Sequence, residues 1–362
     1  MKFHIPPYSP PDFTKDTLKS APDAQLLPAP VDMTAPEGYH ATTIYPEYIK
    51  YGGCWHLIAE SRMDCVAVYE NEVFKAREFR RLKRGDLIVI GRSEDGHEGI
   101  LVHPGGFGAA SGFGDSFAFR LSRSRETAFS IDYDFLYDLL RYERDFGYVV
   151  WVLGPACSFD ADSRTAFASL VAKGYVHALL AGNALATHDL EGAYLNTALG
   201  QDIYTQVPYP NGHYHHIDTL NRVRLHGSID QFIKEEGIRN GIVHACVTGK
   251  IPIVLTGSIR DDGPLPEVYA DVYTGQDAMR EQLSKATTVI TLATALHTIA
   301  SGNMTPSYHV LGDKFVRPVY FYMIDISEFA ANKLSDRGSL SSKSIITNVQ
   351  DFLVHLNNNL VK

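Results

Sequence analysis

The chain is 362 residues long, 45% hydrophobic and 21% charged, with a net charge of −9. That composition excludes intrinsic disorder and collagen-like repeats, and an acidic balance without a long Lys/Arg run leaves no electrostatic footprint for a nucleic acid. No apolar stretch reaches membrane-spanning length, and Pro6, Pro7, Pro10 and Pro11 stand where a signal peptide would need an apolar core, so the expectation is a cytoplasmic protein with no membrane partner.

Residues 1–36 are proline-rich and aperiodic, which predicts an extended arm that wraps over its own domain or a neighbouring subunit. Residues 37–120 predict a small β-rich domain with a Gly-rich linker. Its strands are Thr42–Ile49, Cys54–Ala59, Asp64–Tyr69, Glu72–Phe79, Asp86–Ile90 and Gly99–Val102, with turns at Gly52-Gly53, Arg84-Gly85-Asp86 and Glu94-Asp95-Gly96. The locally basic run Lys75–Arg84 falls among these strands and reads as an exposed edge. Cys54, Cys65, Cys157 and Cys246 contain no CxxC pair, which argues against a zinc knot or a disulfide framework and for small buried apolar side chains. Pro104–Gly114 is glycine-rich, but the glycine spacing after Gly106-Phe107-Gly108 is wrong for a dinucleotide loop, so it reads as a linker or lid.

Residues 121–362 change pattern. After a helix around Tyr133–Arg144, Tyr148–Leu153 is a continuous apolar run of the kind a parallel strand needs when both its faces are buried. Asp160 or Asp162 caps the next helix, whose buried stripe is Phe167, Leu170 and Val171. Val176–Leu180 is the next strand and Ala184–Leu199 the next helix; helical stretches at Ile217–His226 and Gln231–Val247 lead to a strand at Ile251–Leu255. Thr288–Leu292, Val319–Ile324 and Ser344–Ile346 complete the strands, with helices at Thr294–Ser301, Ser327–Leu334 and Val349–Leu356. This alternation predicts an α/β fold, a doubly wound parallel sheet that binds its ligand at the carboxyl ends of the strands.

Those strand ends finish in small or polar residues: Gly154-Pro155, Gly182-Asn183-Ala184, Thr256-Gly257-Ser258 and Ala293-Thr294. Glycine allows close approach, and a helix that starts just beyond adds N–H donors for a pyrophosphate, so a dinucleotide fits. No GxGxxG stands after Leu153 or Leu180, so a nicotinamide cofactor would bind in a variant manner. Asp325 is placed either to accept from ribose hydroxyls or to cap the following helix. Gly257, Ser258, Arg260, Asp261, Asp262 and Gly263 put one cation and two anions on a turn stiffened by Pro264 and Pro266. His188 beside Asp189, within two turns of a strand end, is an acid/base candidate. His213, His215 and His216 cluster without a signalled third or fourth ligand from elsewhere, so no metal is expected and the loop is read as one that orders over substrate.

Three runs, Ala181–Glu191, Gly257–Pro266 and Gln276-Asp277-Ala278-Met279-Arg280, with a weaker fourth at Leu334–Ser339, resemble the LOR/SDH-domain family, which includes archaeal ornithine cyclodeaminases and the C-terminal half of arginine dihydrolase/ornithine cyclodeaminase fusions. Tyr39–Tyr48, Met63-Asp64-Cys65 and Lys83–Val89 look like its β-rich part, so the resemblance covers about residues 36–355. It implies an NAD-dependent enzyme whose nucleotide-binding domain is similar to deoxyhypusine synthase. For such an enzyme NAD oxidises ornithine at the α-carbon, the δ-amine closes the ring with loss of ammonia, and the same cofactor reduces the cyclic imine to proline.

On that reading Arg260 takes the α-carboxylate, Asp261 or Asp262 the distal amine, and His188 or Asp189 relays a proton, while Gly182, Asn183, Ala184, Gly257, Ser258, Gly263, Thr294 and Asp325 hold NAD. Two alternatives stay open: an opine- or saccharopine-type dehydrogenase, which needs a second substrate, and a catalytically silent NAD or amino-acid sensor. Gly105–Gly114, Tyr204–His216 and Pro306–Arg317 depart from the family's pattern, and loops set substrate choice. A homo-oligomer is expected from the arm and from the prevalence of symmetric assemblies.

Overall fold

A computed structural model describes residues 3–107, 130–261, 263–311, 315–327 and 340–361, and every element below is counted among them. In the first third, α1 (Asp16–Lys19) and strands β1 (Gln25–Pro28), β2 (Glu47–Tyr51), β3 (Cys54–Leu57), β4 (Val66–Glu70), β5 (Val73–Arg77), β6 (Leu87–Ile90) and β7 (Ile100–Val102) form two small antiparallel sheets. Their orders are β1-β6-β4-β5 and β3-β2-β7. Each strand expected between Tyr39 and Val102 is present; the first begins only at Glu47, after Pro46, whose missing N–H suits a strand's start rather than its middle.

The proline-rich arm is more ordered than its composition suggests. Gln25–Pro28 pairs with β6, Leu26 opposite Val89, as an edge strand that ends at its own proline. Phe13 stacks on Trp55 at 5.7 Å, and the Tyr8 hydroxyl meets that of Tyr48 at 2.7 Å. Further back, Phe3 is buried among Phe135, Tyr142 and Tyr320, with ring centroids 5.2–5.8 Å away. The arm therefore wraps its own chain and reaches past the β-rich part into the second half.

From α2 (Ser130–Phe146) onward strands and helices alternate. They run β8 (Val149–Leu153), α3 (Ala161–Ala172), β9 (Ala178–Gly182), α4 (Asn183–Leu195), the short hairpin β10 (Thr197–Ala198) and β11 (Gln201–Asp202), then α5 (His215–His226), α6 (Ile229–Glu235) and α7 (Ile242–Thr248). There follow β12 (Ile253–Thr256), β13 (Val268–Tyr269), α8 (Val272–Leu283), β14 (Thr288–Leu292), α9 (Ala295–Met304), the hairpin β15 (Tyr308–Leu311) and β16 (Phe315–Pro318), β17 (Tyr320–Asp325), β18 (Ser341–Ile346) and α10 (Val349–Leu360). Seven of these strands make one parallel sheet of order β13-β12-β9-β8-β14-β17-β18.

Successive side chains of a strand point to opposite faces, and both faces are covered. Val149, Trp151, Leu153, Leu179, Ile290 and Tyr322 pack under α2, α3, α4 and α10, while Val150, Val152, Leu180, Val289 and Phe321 pack under α8 and α9. Strand order reverses between β8 and β14, in register from Val149↔Thr288 to Leu153↔Leu292, and a doubly wound sheet opens its ligand crevice at that reversal.

Two helical expectations are corrected. Gln231–Val247 is two helices, because Gly237 (φ +64°) and Gly241 (φ +107°) break it with left-handed backbone that other residues adopt only under strain. The helix expected over 184–199 stops at Leu195, where Asn196 takes the left-handed conformation and the chain turns into β10. Cys54 is exposed, unlike the three buried cysteines, because it lies at the start of β3 beside the turn. The helix expected at 327–334, the run 334–339, Asp262 and the linker beyond residue 107 fall outside the described residues.

The two halves are joined by charge and by chain. Arg80 Nη2 donates to Asp277 Oδ1 at 2.6 Å and Arg81 Nη2 to the same oxygen at 3.2 Å; Glu78 pairs with Arg62 and, at 2.7 Å, with Arg280. The run 276–280 is thus the seam between the halves. The β15–β16 segment crosses the other way: the buried Tyr308 hydroxyl donates to Ile58 O at 2.7 Å, and Ser307 N to Ser61 O at 3.0 Å.

Candidate active site

The carboxyl ends of β9, β12, β14 and β17 lie along one edge of the sheet, and there Gly182, Thr256-Gly257-Ser258, Thr294 and Asp325 come together as neighbours in register or at adjacent strand ends. The helices that leave this edge are of two kinds in their first turns. α3, α8 and α10 are capped by Asp160, Asp271 and Asn348, each accepting from an N–H of the first turn. α4 and α9, which start directly after β9 and β14, have Gly182 and Thr294 as caps and no side-chain capping bond. Their first N–H groups therefore face the crevice with the positive end of each helix dipole, the arrangement a pyrophosphate needs. A Cβ on Gly182 would stand 3.1 Å from the His297 ring, so glycine keeps that floor open.

The loop after β12 is shaped by its own hydrogen bonds. Ser258 N donates to Asp261 Oδ2 at 2.8 Å, Asp261 N to Ser258 O at 3.0 Å, and Arg260 N to Ser258 Oγ at 3.2 Å. This tight turn carries Arg260 outward, and Gly263 continues it with φ +89°. Two side chains fasten the far limb: Asn183 Oδ1 accepts from Leu265 N at 3.0 Å, and Arg224 Nη1 donates to Pro264 O at 2.8 Å. Between this loop, α4 and α5 lies a cavity of about 620 Å³ whose walls include Asn183, Ala184, His188, His216, Arg260 and Asp261. A cation, a carboxylate and an imidazole therefore share one space of small-molecule size.

Not every expected residue reaches it. Asp189 is next to His188 in sequence but about 100° around the helix, and its carboxylate is fully buried on the other side. There Oδ1 accepts from Arg164 Nε at 2.8 Å and Ile242 N at 2.9 Å, and Oδ2 from Val243 N at 2.8 Å. It neutralises a buried arginine and caps α7, so the expectation that it relays protons in the site is corrected. Asp325 ends β17 as expected, and its Oδ1 accepts from Ser327 N at 2.8 Å. Gly257 has a packing reason of its own, since a Cβ there would lie 2.9 Å from Tyr269 O.

Two groups were not anticipated. His297, in the first turn of α9, has Nε2 2.8 Å from Thr256 Oγ1 and Nδ1 3.1 Å from Thr294 Oγ1, tying β12 to β14 across the strands between them. Burial holds its pKa below the ordinary histidine value, against the opposing pull of Asp261; its sequence signal was its place three residues after a strand-end threonine. The second is Glu191, fully buried with Oε2 2.9 Å from His188 Nδ1, and its signal was the i,i+3 spacing that puts both on one helix face. Among the described residues no group of His, Cys, Asp and Glu is placed to hold a metal ion, and no helix is long and apolar enough to cross a membrane.

Comparison with known proteins places this geometry. Residues 136–356 match the family model described as arginine dihydrolase ArgZ-like, C-terminal, Rossmann fold. An ornithine cyclodeaminase of Methanocaldococcus jannaschii is 36% identical over 349 residues, which cover 94% of this chain and 78% of that protein. Among solved structures, a conserved LOR/SDH protein from Methanococcus maripaludis superposes with a TM-score of 0.83 at 34% identity, covering 94% of this chain and 98% of that one. The ternary complex of AgrE with ornithine and NAD+ matches with a TM-score of 0.59 at 32% identity over 94% of this chain, which spans about half (46%) of that longer protein.

Proposed function

We propose, from the premise that this chain belongs to the family of ornithine cyclodeaminases with an ArgZ-like C-terminal Rossmann fold, that it is an NAD-dependent enzyme converting L-ornithine to L-proline and ammonia. The observation that carries the reading is the shared cavity of Arg260, Asp261 and His188 against an uncapped helix start. The residues at the strand ends fit a dinucleotide: Gly182, Asn183, Ala184, Gly257, Ser258, Gly263, Thr294 and Asp325 would hold it, with the α4 and α9 N-termini at its pyrophosphate and Asp325 near a ribose. When bound, NAD supplies a reversible two-electron acceptor at the α-carbon, so none is consumed over a full turnover.

The chain's own residues supply the rest. Arg260 offers a planar, permanently charged fork to the α-carboxylate. Asp261, with Asp262 beside it in sequence, meets the distal ammonium, takes the proton that the δ-nitrogen must lose before it can attack, and orients that nitrogen toward the α-carbon. His188 accepts the proton that the α-amine must release as it becomes an imine, and returns one to the departing ammonia.

The finer expectations are part of the same proposal. They are a nucleotide-binding half similar to deoxyhypusine synthase, domain limits at residues 37–120 and 121–362, a cytoplasmic location and a homo-oligomeric state; exposed Ile259 and Leu296 near the strand ends are surface that a second copy would cover. The test is incubation of purified protein with catalytic NAD and ornithine. Proline and ammonia in equal amounts without net NADH are expected. NADH accumulation, or a requirement for an added keto acid, would replace cyclodeamination with an opine- or saccharopine-type dehydrogenation.

A further inference from the structure

His188 can act as a base only if its cavity-side nitrogen carries no hydrogen, and that is decided on the other side of the ring. There Glu191 presents a carboxylate with its partners fully specified. Oε2 meets His188 Nδ1 at 2.9 Å and Leu199 N at 3.2 Å; Oε1 accepts from Gly200 N at 3.0 Å and Thr197 Oγ1 at 2.9 Å. Burial pushes the Glu191 pKa up, but the hydrogen bonds from His188, the Gly200 N–H and Thr197 outweigh it and hold the pKa below the ordinary carboxylate value. An ionised carboxylate only accepts, so the hydrogen between the two side chains belongs to Nδ1. Thr197 spends its single hydrogen on Glu191, and its oxygen accepts in turn from His215 Nδ1 at 2.7 Å.

We propose that Glu191 is a positioning residue of this active site: it holds His188 as the Nδ1–H tautomer, leaving Nε2 bare to take a proton from the substrate's α-amine, while Thr197 and His215 hold Glu191 in place. Among the described residues His188 Nε2 has no hydrogen bond to protein. The His216 ring, 6.0 Å away on α5, Arg224 of the same helix, and Arg260 and Asp261 across the cavity are the other titratable or charged groups around it. The inference also gives the loop between β10 and α5 a task, since Gly200 N and His215 are its two ends.

The proposal rests on the cyclodeaminase reading for what the base does, but not for the tautomer, so the two fail separately. In two-bond ¹H–¹⁵N spectra of histidine-labelled protein, assigned by the resonances lost in His188→Gln, His188 should show a protonated Nδ1 and a bare Nε2. A protonated Nε2 overturns the proposal whatever the activity. In Glu191→Gln, which keeps the shape but not the charge, kcat for ornithine should fall about 10- to 100-fold, with the KM for ornithine and the affinity for NAD within threefold of wild type. The acidic limb of the kcat/KM profile should move to lower pH as the imidazolium loses its anionic partner. A folded Glu191→Gln enzyme with wild-type kcat and pH profile also overturns it. Should that variant not fold, Thr197→Val leaves acid and imidazole in place and should still lower kcat, and the wild-type spectrum decides alone. A wild-type protein that does not cyclise ornithine defeats the functional reading while leaving the tautomer assignment standing.

Discussion

Replacing Asp189 by Asn separates a structural carboxylate from a catalytic one. The native group accepts three hydrogen bonds, from Arg164 Nε, Ile242 N and Val243 N, and offsets a guanidinium that is itself 3% exposed. An asparagine has one acceptor oxygen, so either its NH2 faces Val243 N–H or it faces Arg164 and Ile242, donor against donor. Removing one partner of a buried pair costs about 3–5 kcal/mol, mostly because the other charge is left uncompensated. At about 2 °C per kcal/mol for a folding unit of this size, the thermal midpoint should drop by roughly 6–10 °C. Hydrogen exchange at the Ile242 and Val243 amides should accelerate ahead of the sheet, because α7 loses its cap. Calorimetry with and without NAD checks the first expectation and exchange mass spectrometry the second. A variant with the wild-type midpoint that loses turnover a hundredfold would refute the reasoning and return Asp189 to the chemistry.

Three other perturbations probe the seam and the cavity. Glu78 is pushed up by burial but held below its ordinary value of 4.5 by Arg62 and Arg280; a lowered carboxylate contributes stability that is complete above the unfolded value and is lost as pH falls through the folded one. The midpoint difference between wild type and Glu78→Gln should therefore be large at pH 7 and shrink below 4.5, and a pH-independent difference in thermal melts would count against the seam. Arg260→Ala should raise the KM for ornithine by about 10- to 100-fold, the worth of one charge-assisted contact, with a smaller effect on NAD affinity by titration. Asp262→Asn should lower turnover far more than NAD affinity, and comparable turnover in that variant would remove Asp262 from the chemistry.

What could be read in the linear chain was whatever short-range physics dictates. Val149–Leu153 is apolar at every position and Thr288–Leu292 has only threonines besides its three aliphatic residues, and β-prone runs of that kind have few places to go other than the middle of a doubly covered sheet. The glycine and hydroxyl residues at the strand ends marked the edge where the cavity lies. The seam was hidden, because Gln276–Arg280 shows its purpose only beside Glu78 and Arg80, some 200 positions earlier by sequence separation. Asp189 was misread because neighbours in sequence look like neighbours in space, whereas a helix turns them apart; Glu191, three positions from His188, was the true companion. His297 stayed unnoticed since only one of its threonine partners, the cap Thr294, is near it in sequence, while Thr256 lies on β12.

The embedding of Phe3 between Phe135, Tyr142 and Tyr320 bears on how the chain is made. A ribosome releases Phe3 more than three hundred residues before Tyr320, at 5–20 residues per second a delay of roughly 15–60 seconds. Once Val102 has emerged the β-rich part has all its own strands, while the aromatic hook ahead of it waits for Phe135 and Tyr142 and gains Tyr320 last. Tyr308 and Val316, which seal the other side of that part, arrive hardly sooner. Synthesis thus leaves both of these apolar contacts incomplete until β16 and β17 emerge, after the last residue of the charged seam, Arg280, has already been made.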